Sequence, residues 1–264
     1  MRHALRYPGA APHGEGALGG ELWDAGARAV AEDGDDLVAY FEAPTRSVPE
    51  GGTWERVDDR DYVSEYFAGL VAVSVGPLVI APTHRSVTLD AGQRVLWLDP
   101  GMAFGTGHHE TTRLVLEIMG EIPLAGARVL DIGAGSGVLA IAADLLGAAE
   151  ANGIDIDADT IAVARANAAL NRSRARFTCG AFDAAEVDGT YDVVVANLIA
   201  EAHVDLMSSY ARVLRPHAVL VLSGIVDERV DMVEDAVQAP LTLIDRRRDG
   251  VWWALRLARS EGGG

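Results

Sequence analysis

Several features common in proteins are scarce or absent in this sequence of 264 residues. Its single cysteine, Cys179, excludes an internal disulfide. It contains no lysine, so its 22 basic residues other than histidine are all arginines. No apolar run approaches the roughly 20 residues of a membrane span, and the first residues carry no signal-peptide core. We therefore expect a cytoplasmic protein with no membrane segment.

Basic residues are also few compared with acidic ones. The 39 acidic residues outweigh the 22 basic ones and give a formal net charge of −17. Such a surface repels phosphate backbones, so neither tight general nor sequence-specific nucleic-acid binding is expected. The charge either serves solubility alone or attracts a basic partner. Hydrophobic residues make up 49% of the chain, enough to bury the core of one large domain, alone or with a small satellite.

The pattern of apolar residues predicts three segments. Residues 1–53 are predicted to form a small α+β unit, with a helix over 16–34 between two strands, which either packs on the rest of the chain or serves as an attached recognition module. Residues 54–72 are predicted to be a connector with a short helix over 59–70. From 73 to 264, strand-like runs alternate with helical periods, which favours a mostly parallel sheet covered by helices on both faces. The segment 241–259 is typical of a hairpin at the sheet edge.

A glycine-rich turn joins a predicted strand to a predicted helix in "VLDIGAGSGVL". Gly133, Gly135 and Gly137 permit a tight turn and close approach of a ligand to the main chain. Asp155 ends the next apolar run, where an acidic side chain meets the hydroxyls of a ribose. The glycine spacing differs from that of pyrophosphate-binding turns, and no phosphate-binding Gly-Lys-Ser/Thr follows. A nucleoside without phosphates fits better than a plain structural turn, and S-adenosylmethionine is the obvious cofactor.

Other polar and aromatic residues follow neighbouring strands, whose carboxyl ends meet at one edge of such a sheet. We expect Asp131 to attract the positively charged methionine part of the cofactor or to accept N–H bonds from the turn itself. Phe182 is expected either to cover the adenine or to pack in the core. Asn197 follows the buried run "VVVA", and we expect it to bond the ligand or the nucleophile rather than only to cap a helix.

The adjacent histidines of "GTGHHETT" suggest a metal site at first sight. Adjacent residues of a helix point about 100° apart, and neither an H-x-x-x-H pair nor a cysteine cluster accompanies His108 and His109. We therefore expect no metal here. Thr106 or Thr111 is instead predicted to cap the following helix, with Glu110 favourable near its positive end.

Four stretches, in this order, resemble the methyltransferase family that modifies large-subunit ribosomal protein eleven: "LDPGMAFGTGHHETTR", "VLDIGAGSGVLAIAA", "GIDIDADTIAVARANAALN" and "VVANLIAEAH". The resemblance is dense over residues 96–225. It implies a Rossmann-like, seven-stranded class I methyltransferase domain that binds S-adenosylmethionine, preceded by a small α+β domain that captures the basic ribosomal protein. The implied reaction is methylation of lysine ε-amines and an N-terminal α-amine. We expect a monomer.

The implied reaction leads to a hypothesis about two of these residues. Asn197 and the backbone near Leu198 are expected to accept N–H bonds from the amine and to aim it. His109 matches the family's histidine, whereas His108 and Glu110 replace a threonine and a proline. Resemblance and residue pattern together give these expected cofactor contacts: Phe104, Gly105, Thr106, Thr112, Asp131, Gly133, Gly135, Asp155, Ile156, Phe182 and Asn197.

Two other functions stay open. One is an enzyme of the same fold that acts on a small molecule or another protein, although the N-terminal unit and the acidic charge suit a basic macromolecule better. The other is a non-enzymatic module that binds a nicotinamide nucleotide or assists assembly. Its pyrophosphate would need a different glycine spacing, and it would leave Asn197 without a role.

Overall fold

The computed structural model describes residues 2–10, 17–27, 29–57, 71–99, 107, 109–182 and 190–261. The chain divides into two compact units, Met1–Gly69 and Leu70–Gly264. Several predictions fall outside the described residues, namely the connector helix over 59–70 and the roles of Phe104, Gly105, Thr106 and His108. In the described parts of the chain, no helix is both long and apolar enough to cross a membrane.

The N-terminal unit contains one antiparallel sheet and one short helix. Its elements are β1 (Arg2–Tyr7), α1 (Ala17–Asp24), β2 (Ala29–Asp33), β3 (Asp36–Phe41) and β4 (Thr53–Val57). The strand order is β2-β3-β1-β4. Apolar side chains of the sheet and the helix, including Leu5, Leu22 and Leu37, form a small core of their own. This unit therefore buries an apolar face by itself.

The prediction of one helix over 16–34 is wrong in its second half. Helix α1 ends at Asp24, and Gly26 follows it in the left-handed conformation, with φ of +92°. That conformation commonly ends a helix. Residues Ala29–Asp33 instead form β2, which pairs with β3 across a turn at Gly34. Pairing with the sheet outweighs the weak helical periodicity of this stretch.

Strand β4 extends the N-terminal sheet past the boundary predicted at residue 53. It pairs antiparallel with β1, placing Trp54 opposite Leu5. The Trp54 ring meets that of Phe41 edge-on, with centroids 5.1 Å apart. The strand lies at the sheet edge, where charged residues such as Glu55 and Arg56 are common. Those charges made it resemble a connector.

The second unit holds ten strands and five α-helices among the described residues. The strands are β5 (Val73–Val75), β6 (Leu78–Pro82), β7 (Arg94–Leu98), β8 (Arg128–Ile132), β9 (Glu150–Asp155), β10 (Arg176–Cys179), β11 (Tyr191–Asn197), β12 (Leu214–Val226), β13 (Leu241–Asp249) and β14 (Trp252–Arg259). The helices are α2 (Glu110–Glu121), α3 (Val138–Leu145), α4 (Ala158–Leu170), α5 (Ala200–Val213) and α6 (Val230–Asp235), the last preceded by a 3₁₀ turn at Asp227–Arg229.

The central sheet of this unit has seven strands in the order β10-β9-β8-β11-β12-β14-β13. The first five strands run parallel, and β14 is antiparallel to both of its neighbours. The predicted α/β class and the predicted hairpin at the sheet edge are confirmed. The chain order reverses between β8 and β11, and ligands of such sheets bind outside the carboxyl ends at that point. A separate three-stranded sheet comprises β5, β6 and β7.

Helices cover both faces of the seven-stranded sheet. Val129, Val193 and Val195 pack with α2, α3 and α4 on one face. Their strand neighbours, such as Leu130 and Val194, pack with α5 and α6 on the other. Because successive side chains of a strand point to opposite faces, two apolar layers form and hold the strand ends in place.

Candidate active site

The glycine turn after β8 depends on residues without side chains. Gly133, Gly135 and Gly137 have φ of +75°, +52° and +83°, a region that side-chain-bearing residues rarely adopt. The amide of Gly133 donates to the carbonyl oxygen of Ile154 at 2.9 Å, which ties the turn to β9. A Cβ on Gly137 would lie 2.8 Å from the ring of Phe177. Gly137 therefore leaves room for Phe177, and the turn lies at the carboxyl edge of the sheet.

Asp155 lies at the end of β9 and links the glycine turn to the next loop. Its Oδ2 accepts from the amide of Gly135 at 2.9 Å, and its Oδ1 accepts from the amide of Asp157 at 3.0 Å. An ionised carboxylate has about four acceptor sites, so two remain for the hydroxyls of a ribose. The next residue, Ile156, is 77% exposed and offers an apolar surface beside the carboxylate.

Asp131 is fully buried on β8, beneath the glycine turn. Its Oδ2 accepts from the amide of Ala140 in the first turn of α3 at 3.2 Å. Its Oδ1 is buried without a hydrogen-bond partner in the described part of the chain. Burial raises the pKa of this carboxyl to about 7, the Ala140 amide opposes that shift, and the charge of Asp155 adds to it. A buried oxygen without a partner is costly, so this site suits a cationic or N–H-bearing ligand.

Asn197 joins the end of β11 to the first turn of α2. Its Nδ2 donates to the hydroxyl of Thr111 at 3.1 Å and lies 3.4 Å from that of Thr112. The helix that follows, α5, has Ile199 at its N-cap and no side-chain cap bond. The alternative that Asn197 serves only as a helix cap is therefore wrong. Its amide is instead oriented by two buried threonines.

His109, and not a threonine, caps helix α2. Its Nδ1 accepts from the amide of Thr111 at 3.3 Å, so the predicted cap at Thr111 is wrong, and Thr106 lies outside the described residues. Glu110 occupies the first turn, where its charge was expected. Burial lowers the pKa of His109, with Glu110 opposing and Arg113 adding to that shift. The Nδ1 atom of a neutral imidazole can accept the bond from the Thr111 amide. The helix therefore needs no threonine side chain as its cap.

Leu198 lies between two glycines. Its amide donates to the carbonyl oxygen of Ser223 at 3.0 Å. Its side chain lies where a Cβ of Gly133 would be, and its carbonyl lies where a Cβ of Gly224 would be. Gly224 has a φ of +86°. The backbone of Leu198 is thus held against β12, at the same edge as Asn197.

Phe182 is half-buried and packs with the apolar layer under α5. Its ring stacks with that of Tyr210, with centroids 6.3 Å apart and planes 22° from parallel. These contacts favour the core alternative, and its adenine-covering role stays a prediction. The free Cys179 is exposed at the end of β10.

The structure brings most of the predicted residues to one edge. These are Thr112, Asp131, Gly133, Gly135, Asp155, Ile156, Asn197 and Leu198. Sequence reasoning missed Thr111 as a partner of Asn197, and it gave no role to Ser223, Gly224 or His203. The "LSGI" run at residues 222–225 was the available signal, since a glycine within a strand often marks a close backbone approach. Among the described residues, no group of three or more His, Cys, Asp or Glu side chains could hold a metal ion.

Comparison with known sequences identifies related proteins. A sequence model of the family described as ribosomal protein L11 methyltransferase (PrmA) matches residues 29–260. The ribosomal protein L11 methyltransferase of Deinococcus radiodurans is 44% identical over 253 residues, covering 91% of this chain and 93% of that protein. The protein of the same name from Thermus thermophilus is 40% identical over 240 residues, covering 90% of this chain and 92% of that protein.

Solved structures show the same fold. A crystal structure of ribosomal protein L11 methylase from Lactobacillus delbrueckii subsp. bulgaricus matches with a TM-score of 0.68 and 31% identity, covering 73% of this chain and all of that one. A methyltransferase from Pyrococcus furiosus matches in fold with a TM-score of 0.50 and 19% identity, over 57% of this chain and 82% of that one. The predicted resemblance is confirmed, and the chain belongs to the ribosomal protein L11 methyltransferase family.

Proposed function

We propose that this protein transfers methyl groups from S-adenosylmethionine to amino groups of ribosomal protein L11, namely lysine ε-amines and the N-terminal α-amine. Family membership and relatives named for L11 support the substrate. One observation carries the chemistry. Asn197 and the Leu198 carbonyl lie at the same sheet edge as the glycine turn and Asp155. Acceptors for an amine thereby share an edge with a nucleoside-type site.

The residues of this edge fit S-adenosylmethionine. Gly135 carries no side chain that would keep a ligand away from the main chain of the turn. Asp155 retains acceptor sites for two ribose hydroxyls, and Ile156 gives the base an apolar surface. The unpaired Oδ1 of Asp131 suits the positive charge of the methionine part. When bound, S-adenosylmethionine supplies an electrophilic methyl group on a positively charged sulfur.

The amine must be neutral to attack, although free lysine has a pKa near 10.4. Burial beside a positive charge lowers the pKa of an amine, so the proton leaves to water before attack and no strong side-chain base is needed. The Nδ2 of Asn197 is engaged by Thr111, so its Oδ1 is the atom left to accept an N–H bond. The Leu198 carbonyl supplies a second acceptor at the edge. Asn197 and Leu198 would thereby fix the orientation of the amine, and such positioning supplies much of the rate enhancement.

The N-terminal unit is proposed to recognise the substrate. It has a sheet and a core of its own, and its last described strand ends at Val57. The net charge of −17 favours a basic partner over a nucleic acid. We propose that the protein acts as a monomer in the cytoplasm and that the connector predicted over 54–72 begins only after β4, which ends at Val57.

Isotopically labelled S-adenosylmethionine and purified L11 test this proposal directly. After incubation with the enzyme, intact-mass spectrometry is expected to find increases in multiples of one methyl group on L11. Peptide mapping is expected to place them on lysines or the N-terminus. L11 whose amines were acetylated beforehand is the control, and it should gain no label. Label on the acetylated protein, or only on another ribosomal protein, would show that the proposed substrate group is wrong.

A further inference from the structure

His203 is a buried polar residue that the proposed chemistry does not use directly. It lies in the first turns of α5 with no exposed surface, yet both ring nitrogens have partners. Its Nε2 lies 2.8 Å from the carbonyl oxygen of Ser223, and its Nδ1 lies 3.2 Å from the hydroxyl of Tyr210. A histidine so fully engaged fixes the groups around it.

The direction of these hydrogen bonds follows from their chemistry. A carbonyl oxygen only accepts, so Nε2 carries the proton and Nδ1 accepts from Tyr210. Burial lowers the pKa of His203 to about 4 and raises that of Tyr210 above its ordinary value. The imidazole is therefore neutral and the phenol keeps its proton near neutral pH. The chain of donors runs from Tyr210 through His203 to Ser223.

The carbonyl oxygen of Ser223 also accepts a hydrogen bond from the amide of Leu198, at 3.0 Å. The next residue, Gly224, packs directly against the Leu198 carbonyl, and a Cβ there would lie 3.1 Å from Oδ1 of Asn197. On its other side, the Ser223 hydroxyl donates to the carbonyl oxygen of Trp253 at 3.0 Å. A shift of residues 223–224 would therefore move both proposed amine acceptors.

We propose that His203 is a positioning residue for methyl transfer, acting through Ser223 on the Leu198 carbonyl and the Asn197 amide. This inference rests on the proposed function of that edge. A histidine that merely filled the core would contribute to stability without a selective effect on turnover. The two roles are separated by comparing catalysis with folding and with cofactor binding.

Three variants of the full chain make this comparison. His203→Leu removes both hydrogen bonds, whereas His203→Gln keeps an amide donor for Ser223. Val213→Ala is the matched control, since Val213 is buried at the far end of the same helix. For each variant we would measure the Tm, the Kd for S-adenosylmethionine by calorimetry, and kcat and KM with L11 well below the Tm.

His203→Leu is expected to lower kcat about tenfold or more, because misplaced reacting groups cost rate steeply, while the Kd for S-adenosylmethionine changes less than about threefold. His203→Gln should recover most of the lost kcat. Val213→Ala should lower the Tm and leave kcat unchanged. The proposal is overturned if His203→Leu keeps its kcat, or if Val213→Ala loses as much kcat for the same loss of Tm.

A further variant and a hydrogen-exchange measurement distinguish failure of the positioning role from failure of the proposed substrate. If His203→Leu does not fold, Tyr210→Phe removes only the bond to Nδ1 and should still lower kcat severalfold; an unchanged kcat would overturn the proposal. If the wild-type protein binds S-adenosylmethionine but leaves L11 unmethylated, the proposed substrate is wrong. Amide hydrogen exchange then decides the positioning role: faster exchange at Leu198 in His203→Leu than in His203→Gln supports it, and equal rates overturn it.

Discussion

The side-chain amide of Asn197 donates a hydrogen bond to the hydroxyl of Thr111 at 3.1 Å, joining the end of β11 to the first turn of α2. That hydroxyl also lies 2.8 Å from Nδ1 of His109, to which it can give its own proton. Burial favours the neutral imidazole that accepts it. The chain of bonds fixes which end of the Asn197 amide points away from α2, and that end is an acceptor.

Replacement of Thr111 by valine tests this orientation. Thr111→Val keeps the size of the side chain but removes the nearer of the two hydroxyls that orient Asn197. The Thr112 hydroxyl at 3.4 Å remains, so the amide is held less firmly. We expect turnover with L11 to fall about tenfold, since a reactant held in several orientations reacts more slowly. Steady-state kinetics would measure it. Thr242→Val, at an exposed position of β13, should react at the wild-type rate. Equal turnover in both variants would show that Thr111 does not orient Asn197 for the reaction.

Gly224 provides a steric test of the Leu198 position. In Gly224→Ala a Cβ would overlap the Leu198 carbonyl at a φ of +86°. We expect the free energy of unfolding to fall by about 1–3 kcal/mol from strain, together with loss of most turnover. Denaturant unfolding and kinetics would measure the two effects.

Gly250→Ala is the matched control for strain alone. Gly250 also has a positive φ, of +58°, but a Cβ there meets nothing within 4 Å. Its loss of stability should be about 1–2 kcal/mol, with turnover unchanged. If both variants kept full turnover, the Leu198 carbonyl would have no role in the reaction.

Asp155 is expected to hold the cofactor. Asp155→Ala removes a charged acceptor from the ribose, and such a bond contributes about 1.5–3 kcal/mol, so the Kd for S-adenosylmethionine should rise about 10- to 100-fold. Asp157→Ala removes an equal charge two residues later, where Asp157 caps α4. That variant should lose about 0.5–2 kcal/mol of stability and keep its Kd. Calorimetry would measure both. An unchanged Kd in Asp155→Ala would contradict the site.

Asp131 makes stability depend on pH. Its pKa is about 7 in the folded protein, above the ordinary 3.8. The folded state therefore binds this proton more tightly than the unfolded state does. The resulting contribution to the free energy of unfolding is present in full below about pH 4 and is lost as the pH rises through about 7. Asp131→Asn should consequently become more stable relative to the wild type over that range. Denaturant unfolding at several pH values would measure the difference, and a constant difference would contradict it.

The affinity for the cofactor is also expected to depend on the protonation state of Asp131. A positively charged ligand favours the ionised Asp131, so S-adenosylmethionine should bind more tightly at about pH 8 than at about pH 6, with proton release at the lower pH. Calorimetry in two buffers of different ionisation enthalpy would count the protons. Asp131→Asn should release fewer. Identical proton release in both proteins would place the methionine part of the cofactor elsewhere.

Much of the methyltransferase unit could be predicted from local pattern. Strands such as β8 and β11 are buried on both faces and form short apolar runs between helical periods, which is typical of a parallel sheet. Asp155 and the glycine turn follow neighbouring strands of the chain, so their meeting at one edge follows from the topology. Residues whose positions depend only on strand order therefore lie at the sheet edge where we expected them.

Contacts that depend on register could not be predicted. Leu198 meets Ser223 and Gly224 only because Asn197 lies opposite Ser223 in the pairing of β11 with β12. No local pattern encodes that offset, nor the reach of His203 from α5 to β12. The split between α1 and β2 was missed for a related reason, since pairing with β3 decides it.

The most direct test of the central claim separates cofactor binding at the sheet edge from orientation of the amine there. In Asn197→Ala, the Kd for S-adenosylmethionine by calorimetry should stay within about tenfold of the wild type, since Asp155 and the glycine turn remain. Turnover of L11 at saturating cofactor should fall about 10²-fold, because the amine loses the acceptor that aims it. A variant that keeps both its cofactor affinity and its turnover would contradict the account.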